Sequence, residues 1–124
     1  MTASPRALEL VEIAALAAAD KLAKDIVAYD VSEQLVITDA FVICTGANDR
    51  QVRAIVDEIE IKLKEADASL VRREGEREGR WVLLDYLDIV VHVQHDEERS
   101  YYMLERIWKD CPVIALPAAV GEGR

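Results

Sequence analysis

The chain alternates long segments of helical hydrophobic spacing with shorter segments rich in β-branched and aromatic residues. Ser4 followed by Pro5 is typical of a helix start, and the apolar positions beyond it predict a helix over residues 5–24. The clearest helix follows Asn48 and Asp49, which can cap it, because its apolar residues form one stripe. The stripe consists of Val52, Ile55, Val56, Ile59, Leu63 and Ala66.

Strands are predicted between the helices. Residues 25–31 are rich in β-branched and aromatic side chains, and residues 35–38 continue the extended character after a kink. Residues 40–45 are apolar without alternation, which indicates a strand covered on both faces, in the middle of the sheet. A further strand is expected at residues 69–72. The segment after it, residues 73–80, is too charged and glycine-rich to pack and is predicted to be a loop.

A last helix is predicted from Asp96 to near Asp110, because Pro112 cannot continue it. Its packed face contains Tyr101, Leu104 and Trp108. The order of elements predicts an α/β (α+β) fold, with a mixed β-sheet flanked by helices. A chain of 124 residues with 52% hydrophobic composition is enough for a single domain, which we place at residues 1–111. Residues 112–124 are expected to form a loosely held tail.

Residues 80–93 predict two strands around a tight turn at Tyr86 and Leu87. Alternation places a pure core face at Val82, Leu84, Ile89, Val91 and Val93, and a second face at Trp81, Leu83, Asp85, Asp88, Val90 and His92. In this register Asp85 lies opposite Asp88, and Trp81 lies opposite His92. Opposed like charges are destabilising unless a cation lies between them, so the second face predicts a docking surface for a basic partner. A longer loop would change this register, since neither turn residue is a preferred one.

Four of these residues also have a purely structural interpretation. Trp81 has the size to cover the sheet beneath a helix instead of anchoring a partner. Asp85 and Asp88 can serve turn chemistry through hydrogen bonds to the local backbone. For His92 a structural or interface role is favoured over metal binding, because strand alternation points it away from His95 and no suitably spaced ligand accompanies it. No metal and no cofactor is predicted.

The net charge of the chain limits the kinds of partner that it can bind. Lys and Arg number 15 against 24 Asp and Glu, which gives a formal net charge of −9. A chain of this charge repels exposed phosphate, so bare nucleic acid is excluded as the main partner. No basic, hydrophobic leader opens the chain, and no apolar run approaches the roughly 20 residues of a membrane span. We therefore expect a cytoplasmic protein, with Cys44 and Cys111 as reduced thiols.

An enzymatic alternative is a nucleotidyltransferase-like enzyme or nucleotide-binding module. Such enzymes use a Gly-Ser turn for phosphate and two aspartates separated by one residue for a pair of metal ions. Here Gly46 is followed by Ala47, and no carboxylate lies two residues after Asp88. The sequence therefore predicts that the protein is not an enzyme.

Several separated blocks carry a family resemblance. They are Asp25-Ile26, Asp30-Val31, Thr38–Gly46, Arg50–Val52, Trp81–Asp85, Asp88–His92 and Arg99–Trp108. In content and order they resemble the signature blocks of the ribosomal silencing factor family, also called the Iojap-like family. The resemblance runs from Leu8 to Asp110. One departure is Leu87, where many members have glycine in the turn.

The resemblance implies a nucleotidyltransferase-like topology, a homodimer and no chemistry. It implies binding to the large ribosomal subunit through universal large-subunit ribosomal protein fourteen, which would block joining of the small subunit and lower translation under nutrient limitation. A role in ribosome biogenesis is also implied. The residues expected to contact the ribosomal protein are Trp81, Leu83, Asp85, Tyr86, Asp88 and His92.

Overall fold

The computed structural model describes residues 2–75, 80–102 and 104–121. Within these ranges five strands form one sheet, and helices pack on it. The elements are α1 (Pro5–Asp20), β1 (Lys24–Asp30), β2 (Ala40–Gly46), α2 (Asp49–Glu65), β3 (Arg72–Glu74), β4 (Trp81–Asp85), β5 (Ile89–His95), α3 (Asp96–Tyr102), α4 (Leu104–Ile107) and α5 (Ala118–Gly121). None of the helices in the described ranges is long and apolar enough to cross a membrane.

The sheet is mixed, as the sequence predicts, with strand order β1-β2-β5-β4-β3. β2 and β5 run parallel, and the other neighbouring strands are antiparallel. β2 is buried at every position, as expected, but the prediction that it lies in the middle of the sheet is wrong. β5 holds that place, because its own run of buried residues pairs with β2 on one side and with β4 on the other.

Local chemistry sets the start of α1. The side-chain oxygen of Ser4 accepts a hydrogen bond from the backbone N–H of Ala7 at 3.0 Å, which confirms the predicted N-cap. The helix ends earlier than predicted. Leu22 takes a left-handed conformation with φ of 64°, and β1 begins at Lys24. The residues assigned to a longer helix therefore make the turn into the sheet.

α2 confirms the second predicted helix. Asn48 Oδ1 accepts a hydrogen bond from the backbone N–H of Gln51 at 2.8 Å. The predicted stripe faces the sheet, with Val52, Ile55, Val56, Ile59 and Leu63 buried. Together with α1 and one face of the sheet, this stripe builds the main core, so both helices cover the same face.

Two predicted strands are placed differently. Residues 35–38 form an irregular loop, in which Leu35 N–H bonds Val31 O at 2.9 Å and Val36 is fully exposed. The strand predicted at residues 69–72 begins later, as β3, because that is where pairing with β4 is regular. β3 also takes up the beginning of the predicted charged loop, and the rest of that loop, residues 76–79, lies outside the described residues.

The predicted last helix is divided into α3 and α4, with Met103 between them outside the described residues. Buried Arg99 donates a hydrogen bond to Thr45 Oγ1 at 2.8 Å, which fixes α3 over the end of β2. The expected common face falls on Tyr101 and Leu104, whose side chains lie outside those described. The ring of its third member, Trp108, packs edge-on against Phe41 with centroids 4.9 Å apart.

The segment after Cys111 contacts the domain. The backbone N–H of Asp30 donates to Pro112 O at 2.8 Å, and that of Ile114 donates to Ala28 O at 2.9 Å. Farther along, Val120 is buried. Residues 112–114, the first part of the segment that the sequence suggests as a loose tail, therefore extend the β1 edge of the sheet.

Candidate functional site

The hairpin of β4 and β5 carries most of the predicted docking residues. Its loop contains three residues, 86–88, and not two. The predicted faces are correct, because β4 and β5 keep the predicted alternation. The predicted cross-strand partners are wrong, since Asp88 lies in the loop and the register shifts. The observed pairs include Trp81 with Gln94, Leu83 with His92, and Asp85 with Val90.

The two faces of the hairpin meet different surroundings. Val82, Leu84, Ile89, Val91 and Val93 belong to the main core beneath α1 and α2, as predicted. The second face of the sheet carries a smaller buried cluster made of Tyr29, Val31, Phe41, Ile43, Val90 and Cys111. Leu35, Trp81, Leu83 and Trp108 are partly buried against that cluster. This second face is therefore apolar and only partly covered.

Trp81 and His92 form one unit on the second face. Trp81 Nε1 donates a hydrogen bond to His92 Nδ1 at 3.1 Å, so the imidazole proton is on Nε2. Burial lowers the pKa of His92 to about 4, which keeps the ring neutral at physiological pH. The ring also packs against Phe41, with centroids 5.1 Å apart. His92 is thus a structural histidine that holds a half-buried tryptophan at the surface.

Asp85 takes part in turn chemistry. Its Oδ1 accepts a hydrogen bond from the backbone N–H of Leu87 at 2.9 Å, and its Oδ2 lies 3.8 Å from Arg72 Nη2. The guanidinium of Arg72, in the same chain, therefore lies beside the Asp85 carboxylate. Asp88 is exposed, and its backbone oxygen accepts from the N–H of Asp39 at 3.0 Å. Of the two predicted acidic contacts, Asp88 is the one that faces solvent.

Tyr86 does not join the other predicted docking residues. It is buried in the main core, on the opposite side of the sheet from Trp81, because the longer loop turns its ring toward α2. Burial, and then the nearby Glu60 carboxylate, raise the pKa of Tyr86 to about 12. Its placement in the docking set is a sequence prediction that the structure corrects.

A groove of about 490 Å³ lies on the second face. Phe41, Leu83, Val90 and His92 line it from the sheet, and Leu35, Val36, Ile37, Thr38, Arg72, Asp85 and Leu87 surround it. The sequence prediction missed the loop of residues 35–38 and Phe41. The signal was present as an apolar run, which was interpreted as a strand because β-branched residues favour strands.

Gly46, which was weighed for nucleotide chemistry, has a packing role. A Cβ added at Gly46 would lie 2.9 Å from Val52 Cγ2, so glycine is needed there for β2 to pass close to α2. In the described part of the chain, no group of three or more His, Cys, Asp or Glu residues is arranged to hold a metal ion. Gly46 is therefore explained by packing.

A small mixed-sheet domain with a half-open apolar face defines an α/β module whose surface is suited to contact with another macromolecule. The family model described as "Ribosomal silencing factor during starvation" matches residues 4–123. The chain belongs to the ribosomal silencing factor family, which confirms the resemblance noted in the sequence.

Relatives and a solved structure agree with this membership. The chain is 46% identical over 107 residues to ribosomal silencing factor RsfS of Bacillus subtilis, covering 86% of this chain and 91% of that protein. A crystal structure of a Chromobacterium violaceum protein matches with a TM-score of 0.79 at 38% identity, covering 90% of this chain and 93% of that one. Mitochondrial assembly of ribosomal large subunit protein 1 of Mus musculus is 32% identical over 90 residues, or 69% of this chain and 39% of that protein.

Proposed function

We propose that this protein represses translation by docking on the large ribosomal subunit through the second face of its sheet. Docking there blocks association with the small subunit and lowers translation when nutrients are scarce. The contacted component is universal large-subunit ribosomal protein fourteen, and the protein acts in the cytoplasm, by binding and without chemistry. Family membership and the large-subunit assembly named for the mouse relative support the ribosome as the partner.

The observation that carries the proposal is Trp81, which is half-buried on the second face and hydrogen-bonded to His92, a residue that lines the apolar groove. Tryptophan is among the residue types that most often dominate a protein interface. Leu83 extends the apolar contact into the groove, and exposed Asp88, which follows the groove residue Leu87 in the chain, supplies negative charge nearby. His92 and Asp85 act on this surface indirectly, by positioning Trp81 and the loop.

Charge favours a ribosomal protein over rRNA as the contacted component. The formal net charge of −9 opposes close approach to phosphate. The same charge speeds encounter with a basic protein and orients it. An apolar groove close to the exposed Asp88, on a chain of net negative charge, is thus complementary to an apolar segment flanked by Lys or Arg.

Co-sedimentation with purified large ribosomal subunits tests the proposal, with small subunits as the control. We expect selective binding to the large subunit and, in a second assay, loss of its association with the small subunit. Leu83→Gln should abolish both effects. The matched control is Leu16→Gln, because Leu16 is partly exposed on α1, on the other side of the sheet. Binding to neither subunit, or equal loss with both variants, would count against the proposal.

Homodimer formation belongs to the same proposal and rests on the family resemblance. Light scattering at micromolar concentration tests it separately. A strictly monomeric protein would remove the dimer from the proposal without affecting docking.

A further inference from the structure

Leu87 combines two unfavourable features in one residue. Its φ of 70° is in the left-handed region, where the backbone of any residue with a Cβ is strained and glycine is favoured. Its side chain is also 47% exposed, so a large apolar surface faces water. Neither feature stabilises the isolated domain.

The geometry of the loop accounts for the conformation but not for the residue. The hydrogen bond from Asp88 N–H to Tyr86 O closes a three-residue turn centred on Leu87, and a positive φ at the central residue belongs to the strained form of that turn. Glycine or asparagine meets that requirement at lower cost than leucine. Local folding therefore gives no reason for a leucine side chain here.

Hydrogen bonds hold Leu87 in place. Asp85 Oδ1 accepts from the backbone N–H of Leu87 at 2.9 Å. On either side, Tyr86 N–H donates to Ile89 O and Asp88 N–H donates to Tyr86 O, both at 2.9 Å. The loop is thus fixed through its own backbone, and Asp85 is the side chain that sets the orientation of Leu87.

The held side chain lies at the groove on the second face. Leu87, Val36 and Ile37 all line this groove, and Ile37 is 72% exposed. These side chains come from two separate loops and form an apolar margin above the floor made by Phe41, Leu83 and Val90. Exposed apolar side chains grouped around a groove mark a contact surface.

We propose that Leu87 is an affinity-determining contact of the docking surface and that Asp85 is the residue that positions it. This inference rests on the proposed function. The occupant is an apolar side chain of a ribosomal protein, beside a Lys or Arg that meets Asp88. The groove favours this occupant because its floor is apolar. The cation that lines it, Arg72, lies 3.1 Å from Glu74 and 3.8 Å from Asp85 of the same chain, so the exposed carboxylate of Asp88, next to Leu87, is the group that attracts a cation of the partner.

Replacement of Leu87 by glycine or asparagine tests the contact, with co-sedimentation on large ribosomal subunits as the readout. Both variants keep the left-handed conformation. We expect Leu87→Gly and Leu87→Asn to weaken binding about tenfold, the loss expected when half of a leucine is no longer buried. The thermal midpoint of unfolding should stay the same or rise.

The chain supplies a matched control. Leu22 is also a left-handed leucine, with φ of 64° and 74% exposure, but it lies after α1 and not at the groove. Leu22→Gly should change stability in the same direction and leave binding unchanged. Equal weakening by Leu22→Gly and Leu87→Gly would overturn the inference.

Asp85 is tested by rescue. Asp85→Asn keeps an acceptor for the Leu87 N–H and should bind within about threefold of the wild type, whereas Asp85→Ala should lose affinity about as much as Leu87→Gly. In the Leu87→Gly background, Asp85→Ala should cost nothing further. Full independence of the two effects would overturn the positioning role.

Failure of the inference and failure of the proposed function give different results. If Leu87→Gly binds like the wild type while Leu83→Gln does not, Leu87 is not a contact but the docking surface stands. If the wild type itself does not bind large subunits, the proposed function fails and this inference fails with it.

Discussion

Trp81 Nε1 donates a hydrogen bond to His92 Nδ1 across the β4–β5 hairpin at 3.1 Å. The two residues are diagonal neighbours in the ladder, because His92 pairs directly with Leu83. The bond satisfies a buried imidazole nitrogen and fixes the orientation of the indole. The same contact therefore contributes to stability and to the shape of the docking surface.

Stability should decrease in mild acid because of His92. Burial lowers its pKa from 6.5 to about 4, so the unfolded chain binds a proton in this pH window that the folded protein does not. We expect the free energy of unfolding to fall by up to about 3 kcal/mol on acidification from neutral pH to about pH 4. Urea denaturation at several pH values measures this.

The comparison variant for this pH effect is His92→Gln, whose amide oxygen still offers an acceptor to Trp81. Carboxylates contribute equally to both proteins, so the difference in slope isolates the histidine. Identical pH slopes for the two proteins would show that His92 does not cause the effect.

Two substitutions separate the roles of Trp81. Trp81→Phe keeps an aromatic ring but leaves His92 Nδ1 without its donor, so we expect a stability loss of about 1–3 kcal/mol and little change in affinity. Trp81→Ala should also lose about 2 kcal/mol of binding, or about 30-fold in affinity. Denaturation and co-sedimentation measure the two quantities separately. Equal affinities for both variants would mean that the ring does not contact the partner.

Gly46 should be required for packing. Gly46→Ala places a Cβ 2.9 Å from Val52 Cγ2, so we expect a loss of about 1–3 kcal/mol in the free energy of unfolding. Val52→Ala removes the nearest crowding atom but leaves the Val52 backbone N, 3.0 Å from the added Cβ, so the double variant should lose somewhat less than the two single variants combined. Strict additivity would show that the Val52 side chain does not cause the crowding.

Cys44 should be unreactive in the folded protein. It is fully buried, and burial raises the pKa of its thiol to about 12, so almost no thiolate is present near pH 8. Alkylation followed by mass spectrometry should modify Cys44 only at the rate at which the domain opens. The variant Cys111→Ser assigns the signal to one thiol. Rapid modification under native conditions would contradict the buried position.

Local signals in the sequence were sufficient for the starts of α1 and α2 and for the hairpin faces. Ser4 and Asn48 cap their helices with side chains adjacent in sequence, so the chemistry can be read directly from the residues. Period-two alternation likewise assigned both faces of β4 and β5. The central strand was misplaced because β5 contains the polar residues His92 and Gln94, which are nevertheless buried, so its sequence looks less like a central strand than that of β2.

The candidate site was predicted only in part. Trp81 and Leu83 lie on the face where the alternation placed them, whereas Asp88 lies in the loop and not in the strand. Tyr86 moved to the core because loop length decides which way a loop side chain points, and the loop lacks the usual turn residues. Val36 lines the groove from a loop that is distant in sequence from the hairpin. The alternation of residues within the hairpin therefore could not predict it.

The parallel pairing of β2 with β5 has a consequence for synthesis on the ribosome. Ala40 pairs with Ile89, so the centre of the sheet closes only after α2, β3 and β4 have been made. Until then, β2 has a neighbour on the β1 side alone, and its other edge carries unpaired backbone groups on a mainly apolar strand. The nascent chain is therefore most prone to aggregation between the emergence of β2 and that of β5.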